Sequence, residues 1–155
     1  MTTTSNFNPV SRKRGFTLIE LIIVMAIIAI IAAFAYPSYI DQVRATNRAD
    51  CTGGLASLAN AMERHYSING SYLGAAAGGA NTGAPGIFDT TCPLDGGNAT
   101  YNLTIQAATV STYTLNATPV NNQANDRCGT LVITSTGAKS VAAAAAGVTW
   151  QECWR

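Results

Sequence analysis

The chain has 155 residues, of which 48% are hydrophobic and only 11% charged, with a formal net charge of +1. That length leaves room for one ordinary domain and little else. So few charges exclude a disordered polyelectrolyte and a basic nucleic-acid scaffold.

The charges are unevenly placed. Arg12, Lys13 and Arg14 stand together ahead of a long apolar run, so the rest of the chain carries six basic and eight acidic side chains. From Leu21 to Tyr36 every residue is apolar, and Phe16 to Ile19 extends the run upstream across Glu20. A bilayer core of roughly 30 Å needs about 20 apolar residues as helix, which Phe16 to Tyr36 just supplies. The basic cluster on its N-terminal side keeps that end in the cytoplasm and exports the chain beyond Tyr36. A cleaved secretory signal would use Ala33-Phe34-Ala35 as its A-x-A site, but the run exceeds the usual length of about 7 to 15 residues and Glu20 interrupts it. In a plain single-span anchor, Glu20 would cost about 3 kcal/mol or more in hydrocarbon unless it snorkels to the interface or finds a partner.

The stretch Arg14-Gly15-Phe16-Thr17-Leu18-Ile19-Glu20, continued by the apolar run to Tyr36-Pro37-Ser38-Tyr39, resembles the signature of the type IV pilins. The resemblance implies that residues 1–15 are a leader, removed after Gly15 on the cytoplasmic side by a prepilin peptidase that requires a small residue there. It implies further that Phe16 becomes the N-methylated N-terminus. Residues 16–39 would be both transmembrane and polymerisation helix, and residues 40–155 the periplasmic or extracellular head. Glu20, fifth after the cut, would neutralise the Phe16 amine of a neighbouring subunit as the helices bundle. An opposed charge offsets the desolvation that a lone buried carboxylate suffers, so this pair would select one axial register between subunits. The sequence departs from the family at Ala29, where many members carry glycine. Pro37 matches, and a proline inside a helix removes one backbone hydrogen bond and bends the segment.

Beyond Pro37 the pattern narrows to an amphipathic stripe of Ile40, Val43, Cys51, Leu55, Leu58, Met62 and Tyr66, with Asp41, Arg44, Arg48, Asp50 and Arg64 interspersed. One helix from Phe16 to about Tyr66 is expected, roughly 76 Å long at about 1.5 Å per residue. Gly53-Gly54 weakens it by about 1 kcal/mol per glycine relative to alanine, and packing around Cys51 and Leu55 is expected to carry the helix through. Asn69-Gly70 supplies a left-handed stop.

The segment from Gly74 to Gly86, rich in Gly and Ala, has no periodicity and reads as a surface connection. Alternation then begins, with Tyr101, Leu103 and Ile105, then Tyr113, Leu115 and Ala117, then Thr130 to Ser135, and after a Thr136-Gly137 turn Ala138 to Val141. The expected class is α+β, a long helix covering the apolar face of an antiparallel meander of about four strands. This is also the fold that the resemblance implies.

Cys51, Cys92, Cys128 and Cys153 all lie beyond the apolar run, where an oxidising compartment lets them pair. Four cysteines allow three connectivities. Resemblance to the disulfide-closed C-terminal loop of pilins favours Cys128–Cys153, leaving Cys51–Cys92; Cys51–Cys153 with Cys92–Cys128 stays open on spacing. Closing loops of about 25 and 41 residues is worth roughly 3.5 to 4 kcal/mol each in the chain-entropy picture.

Little else points to chemistry. His65 is the single histidine and has no second ligand at metal spacing, so it reads as a polar residue near a helix end. There is no G-x-S-x-G, and no enzymatic role or cofactor is expected. Asp89, Asp95 and Asp126 are scattered and lack the spacing of a calcium loop. Asn98, Asn102 and Asn116 each open an N-x-T triplet, discounted because the resemblance implies a bacterial chain. Arg127, Lys139 and Arg155 are the cations a DNA-uptake pilin would place on phosphates, yet they form no visible stripe. Trp150 and Trp154 flank Cys153 and are expected to pack around the disulfide.

The pattern Asp126-Arg127-Cys128-Gly129-Thr130-Leu131, with Cys153-Trp154 at the end, resembles the minor pilins that support fibre assembly. The expected role is a structural subunit of a type IV pilus, serving twitching motility, adhesion or DNA uptake. Its partners would be other pilins, the inner membrane before assembly, the prepilin peptidase and the assembly platform. A major pilin, a DNA-binding competence pilin and a type II secretion pseudopilin are the alternatives.

Overall fold

The computed structural model describes residues 15–154. The leader up to Arg14, with its basic cluster, and Arg155 lie outside the described residues.

The first element is helix α1, Leu18–Asn69. It begins two residues later than the periodicity suggests because Thr17 and Glu20 form its cap. The Glu20 backbone N–H donates to Thr17 Oγ1 at 3.2 Å, and the Thr17 N–H donates to Glu20 Oε2 at 3.4 Å. This reciprocal T-x-x-E pair satisfies amide donors that no earlier helical turn can reach. Pro37 lies inside the helix. The chain divides into two compact units between Tyr39 and Ile40. In the first, every described residue from Gly15 to Tyr39 is exposed.

The second unit is built on the rest of α1. Its buried stripe is Arg48, Cys51, Gly54, Leu55, Leu58, Ala61 and Met62, whereas Val43 and Tyr66, expected on the same stripe, are exposed. Cys51, Leu55, Leu58 and Met62 hold the expected stripe, which is shorter at both ends and takes in an arginine that reads from sequence as solvated. Gly53-Gly54 does not interrupt the helix. A Cβ on Gly54 would lie 2.9 Å from Cys92 Sγ, while one on Gly53 would meet nothing within 4 Å. Gly54 is therefore the notch that lets a disulfide lie against the helix. The helix ends at Gly70, whose φ of 68° and N–H bond to Tyr66 O at 2.7 Å make the left-handed stop.

Five antiparallel strands come next in meander order: β1 Thr91–Cys92, β2 Tyr101–Ala108, β3 Tyr113–Pro119, β4 Thr130–Thr134 and β5 Lys139–Ala142. The fifth strand beyond the four expected is β1, whose two residues are too few to alternate; it exists by pairing Cys92 with Tyr101. The inward residues Tyr101, Leu103, Ile105, Leu115, Ala117 and Leu131 pack with Leu55, Leu58 and Met62 of α1 in one core. Each fully buried Leu contributes roughly 2 kcal/mol by area removed from water.

The 74–86 segment is less superficial than its composition suggests. Ala75 and Ala76 are buried, Ala76 bridges to Pro85, and Gly83 exchanges backbone hydrogen bonds with Ile105 at 2.9 and 2.8 Å. Such pairing engages backbone alone, so no side-chain pattern announces it. After β5 a short helix, α2 Trp150–Cys153, carries the last cysteine.

Candidate functional site

The N-terminal unit presents apolar side chains on every side of its helix, with Phe16 87%, Phe34 79% and Leu18 76% exposed. The helix is long and apolar enough to cross a membrane. Exposed apolar surface on this scale requires lipid or protein to cover it. Glu20 is the acidic residue of its first turn, its carboxylate held beside the Thr17 amide. Gly15 has nothing within 4 Å of where a Cβ would stand, so no packing of the described residues demands glycine there.

The disulfides of the head are Cys51–Cys92 and Cys128–Cys153, with Cα–Cα separations of 5.5 and 5.8 Å. All four cysteines are buried. The first ties α1 to β1, and the second ties the turn before β4 to α2.

A polar network that the sequence did not disclose lies beside the second disulfide. Arg48 Nη1 reaches Asp126 Oδ1 at 2.6 Å, and the Cys128 N–H donates to the same oxygen at 3.3 Å. Asp126 Oδ2 accepts from the Tyr101 hydroxyl at 2.6 Å and from Gln123 Nε2 at 3.1 Å. Gln123, fully buried, also donates to the Arg44 carbonyl at 3.0 Å and accepts from Asn47 Nδ2 at 3.2 Å. Burial alone would push the Asp126 carboxyl up, but the bonds from Tyr101 and Arg48 and the Arg48 charge outweigh it and hold it below the usual carboxylate range. Burial first, then the bond to Asp126, pushes the Tyr101 hydroxyl well above its ordinary value. Asp126 is thus a structural acid, not a scattered surface carboxylate available to calcium. The available signal was phase: Arg48 precedes Cys51 by three and so shares the face of Leu55, Leu58 and Met62.

Glu63 organises a second cluster, accepting hydroxyls from Tyr72 and Tyr113 at 2.9 Å each. The Tyr72 ring meets Tyr66 at 4.6 Å and Tyr113 edge-on at 4.8 Å. Burial and the Glu63 carboxylate push both bonded tyrosines up. His65 sits at the helix end as expected; its Nε2–H donates to the Leu73 carbonyl at 2.9 Å and Nδ1 accepts from Asn69 at 3.2 Å.

The remaining sequence candidates do not converge. Asp89 and Asp95 are exposed, and among the described residues no group of His, Cys, Asp and Glu is placed to hold a metal. Asn98 and Asn102 are exposed, and Asn116 lies half-buried on β3. Arg127 faces Glu152 at 3.8 Å, and Lys139 Nζ lies 5.1 Å over the Trp154 ring. Trp154 packs against the core with its Nε1–H on the Ser140 carbonyl at 3.0 Å, whereas Trp150 is 42% exposed. The two described cations of this end thus have local partners and form no stripe.

Comparison with known proteins gives two family matches. Residues 37–132 match the model described as "Type IV minor pilin ComP, DNA uptake sequence receptor", and residues 10–36 match "Prokaryotic N-terminal methylation motif". Among curated relatives, the type IV major pilin protein PilA of Myxococcus xanthus is 43% identical over 68 residues, 44% of this chain and 30% of that one. The fimbrial protein EcpC of Eikenella corrodens is 42% identical over 72 residues, 45% of this chain and 47% of that one. The chain thus spans less than half the length of either relative. Among solved structures, a type IV pilin from Shewanella oneidensis is 25% identical, covering 69% of this chain and 97% of that one with a TM-score of 0.43. The non-core minor pilin PilV of Neisseria meningitidis is 17% identical, covering 71% and 95% with a TM-score of 0.48.

Proposed function

Because the chain belongs to the type IV pilin family, we propose that this structural subunit is a minor pilin, anchored by α1 in the inner membrane and then incorporated into the fibre. The observation that carries the reading is the methylation-motif match over residues 10–36 running into a helix whose apolar side chains are exposed on all sides. In this reading a prepilin peptidase cuts after Gly15, Phe16 is N-methylated, and the assembly platform transfers the helix from lipid to a bundle of sibling helices. Pro37 closes that segment, and the head beyond it is periplasmic before assembly and extracellular after. Glu20 supplies the carboxylate that meets a neighbour's Phe16 amine. Unpaired, it would carry its full desolvation cost into the bundle, so pairing favours one axial offset.

The description of the family model over residues 37–132 supports the minor subclass. The experiment is mass spectrometry of the mature polypeptide with quantitation in sheared fibres. A methylated Phe16 at the N-terminus and a sparse presence beside an abundant pilin are expected. An intact leader or absence from fibres refutes the reading, and dominance in the fibre makes the chain a major pilin.

A second reading, DNA capture by the head, is favoured by the same description. Arg127 and Lys139, with Arg155 beyond the described residues, are its candidate phosphate contacts. So few cations imply a shallow salt dependence, a log–log slope no steeper than about −3 for duplex DNA. Binding by the full chain in detergent, titrated with salt, tests it.

A further inference from the structure

Independently of how the subunit serves a fibre, we infer that Asp95-Gly96, in the loop between β1 and β2, is a site of spontaneous backbone modification at which the head converts itself to an isoaspartyl form. Two pairs in this chain place a glycine after an Asn or Asp side chain that the glycine nitrogen can attack, Asn69-Gly70 and Asp95-Gly96. Glycine carries no side chain to screen its nitrogen, so the attack is least hindered at these pairs. In a flexible chain Asn69 is the faster of the two, because an amide is attacked more readily than an ionised carboxylate.

The fold reverses that order. At Asn69 the nucleophile is occupied, since the Gly70 N–H donates to the Tyr66 carbonyl at 2.7 Å within the left-handed stop. The Asn69 amide is held as well, donating to the His65 carbonyl at 2.9 Å and to His65 Nδ1 at 3.2 Å. Attack there requires the helix end to open. At Asp95 nothing comparable intervenes. Every residue from Leu94 to Asn98 is exposed. Among the described residues the Gly96 N–H donates to no backbone carbonyl, and Asp95 joins neither ion pair. Gly96 and Gly97 stand at φ of 94° and 102°, with nothing within 4 Å of a Cβ on either, so the loop can turn without moving a packed neighbour.

The step consumes and returns only water. The Gly96 nitrogen adds to Cγ of the protonated Asp95 carboxyl, its proton leaves with the carboxyl hydroxyl as water, and a succinimide closes between the two residues. Water then opens the ring. Opening at Cγ breaks the new bond and restores aspartate. Opening at the backbone carbonyl breaks the original peptide bond, so the chain continues through Cγ and the freed α-carboxylate hangs beside it. Nothing is oxidised or reduced, the mass is unchanged, and the main chain gains a carbon. That carbon enters next to Leu94, whose Cγ and Cδ2 lie 3.7 and 3.8 Å from where a Cβ on Gly54 would stand, beside Cys92 Sγ. Conversion therefore acts on a side chain laid close to the Cys51–Cys92 link.

The test ages full-length protein in detergent at neutral pH, folded or unfolded in urea, then reduces, alkylates and digests it. Isoaspartate is located by fragmentation mass spectrometry and counted with an isoaspartyl O-methyltransferase and a labelled methyl donor. In folded protein it is expected to accumulate at Asp95 while Asn69 stays intact, and Asp95→Ala is expected to remove the signal. In urea Asn69 is expected to convert about tenfold faster than it does folded, because the hydrogen bonds that hold it are gone. No isoaspartate at Asp95 in folded protein, a signal that survives Asp95→Ala, or conversion of Asn69 as fast folded as in urea overturns the inference.

Discussion

The Arg48 guanidinium grips the Asp126 carboxylate at 2.6 Å across 78 positions of sequence, with side-chain exposures of 9% and 1%. Tyr101 and Gln123 fill the carboxylate's other oxygen, so the pair is buried with its hydrogen-bonding capacity used. A buried charge whose partner is removed keeps its desolvation cost and loses the offset. Asp126→Ala should therefore destabilise the head by about 3 to 5 kcal/mol, and the double change Arg48→Met with Asp126→Leu by clearly less. Thermal and urea unfolding of the three proteins in detergent checks the order; equal losses would mean the pair is not the source.

The Asp126 network and the Glu63 cluster together set an alkaline limit. Tyr101 and Tyr113 have folded-state hydroxyls raised above the ordinary value of 10.0, through burial and their carboxylate partners. A raised folded value means that the unfolded chain releases these protons first. The stabilisation is complete below about pH 10 and drains away above it. Unfolding free energy measured from pH 8 to 11 should fall with rising pH, and Tyr101→Phe with Tyr113→Phe should flatten that slope. At the acid end the sign reverses for Asp126, whose folded carboxyl is held low. Its contribution is present above the unfolded value of about 4 and is lost as pH falls below it.

Adjacent glycines on α1 should respond in opposite directions. Gly53→Ala adds a methyl where nothing lies within 4 Å and should stabilise by about 0.5 to 1 kcal/mol through helix propensity. Gly54→Ala drives a methyl to 2.9 Å from Cys92 Sγ and should destabilise by about 1 to 3 kcal/mol. Melting temperatures of the two single variants decide it, and a gain at Gly54 would contradict the packing.

Gly129 is irreplaceable for a different reason. Its φ is +58°, and a Cβ there would run into the carbonyl oxygens of Ala142 and Ala143, which are backbone and cannot swing aside. Gly129→Ala should cost more than the roughly 1 kcal/mol of left-handed strain alone, and should lower the yield of correctly oxidised protein. Non-reducing peptide mapping reads the Cys128–Cys153 product directly.

For the first unit the informative residue is Glu20. Glu20→Val removes the carboxylate together with its cap on the Thr17 amide. Membrane insertion should persist, since the span becomes more apolar. If Glu20 pairs with a neighbour's Phe16 amine as proposed, incorporation into fibres should fall. Membrane fractionation beside a shear assay separates the two, and normal incorporation would refute the assignment.

Much of this molecule is written in local pattern. The unbroken apolar run to Tyr36, the Asn69-Gly70 stop and the alternation from Tyr101 to Ala117 each depend on neighbours within a few positions, so one-dimensional pattern exposes them. The long helix, the meander of β2 to β5 and the apolar surface of the first unit derive from those signals, whereas β1 does not. Phase placed Arg48 on the buried face, but its pairing with Asp126, the bonding of Tyr72 and Tyr113 to Glu63 and the pairing of Gly83 with Ile105 were legible nowhere in that pattern. Each joins groups far apart in sequence whose meeting depends on how the sheet lies against the helix. Phase can put an arginine on the buried face, but which acid it meets there is decided only when both lose their water in the folded head.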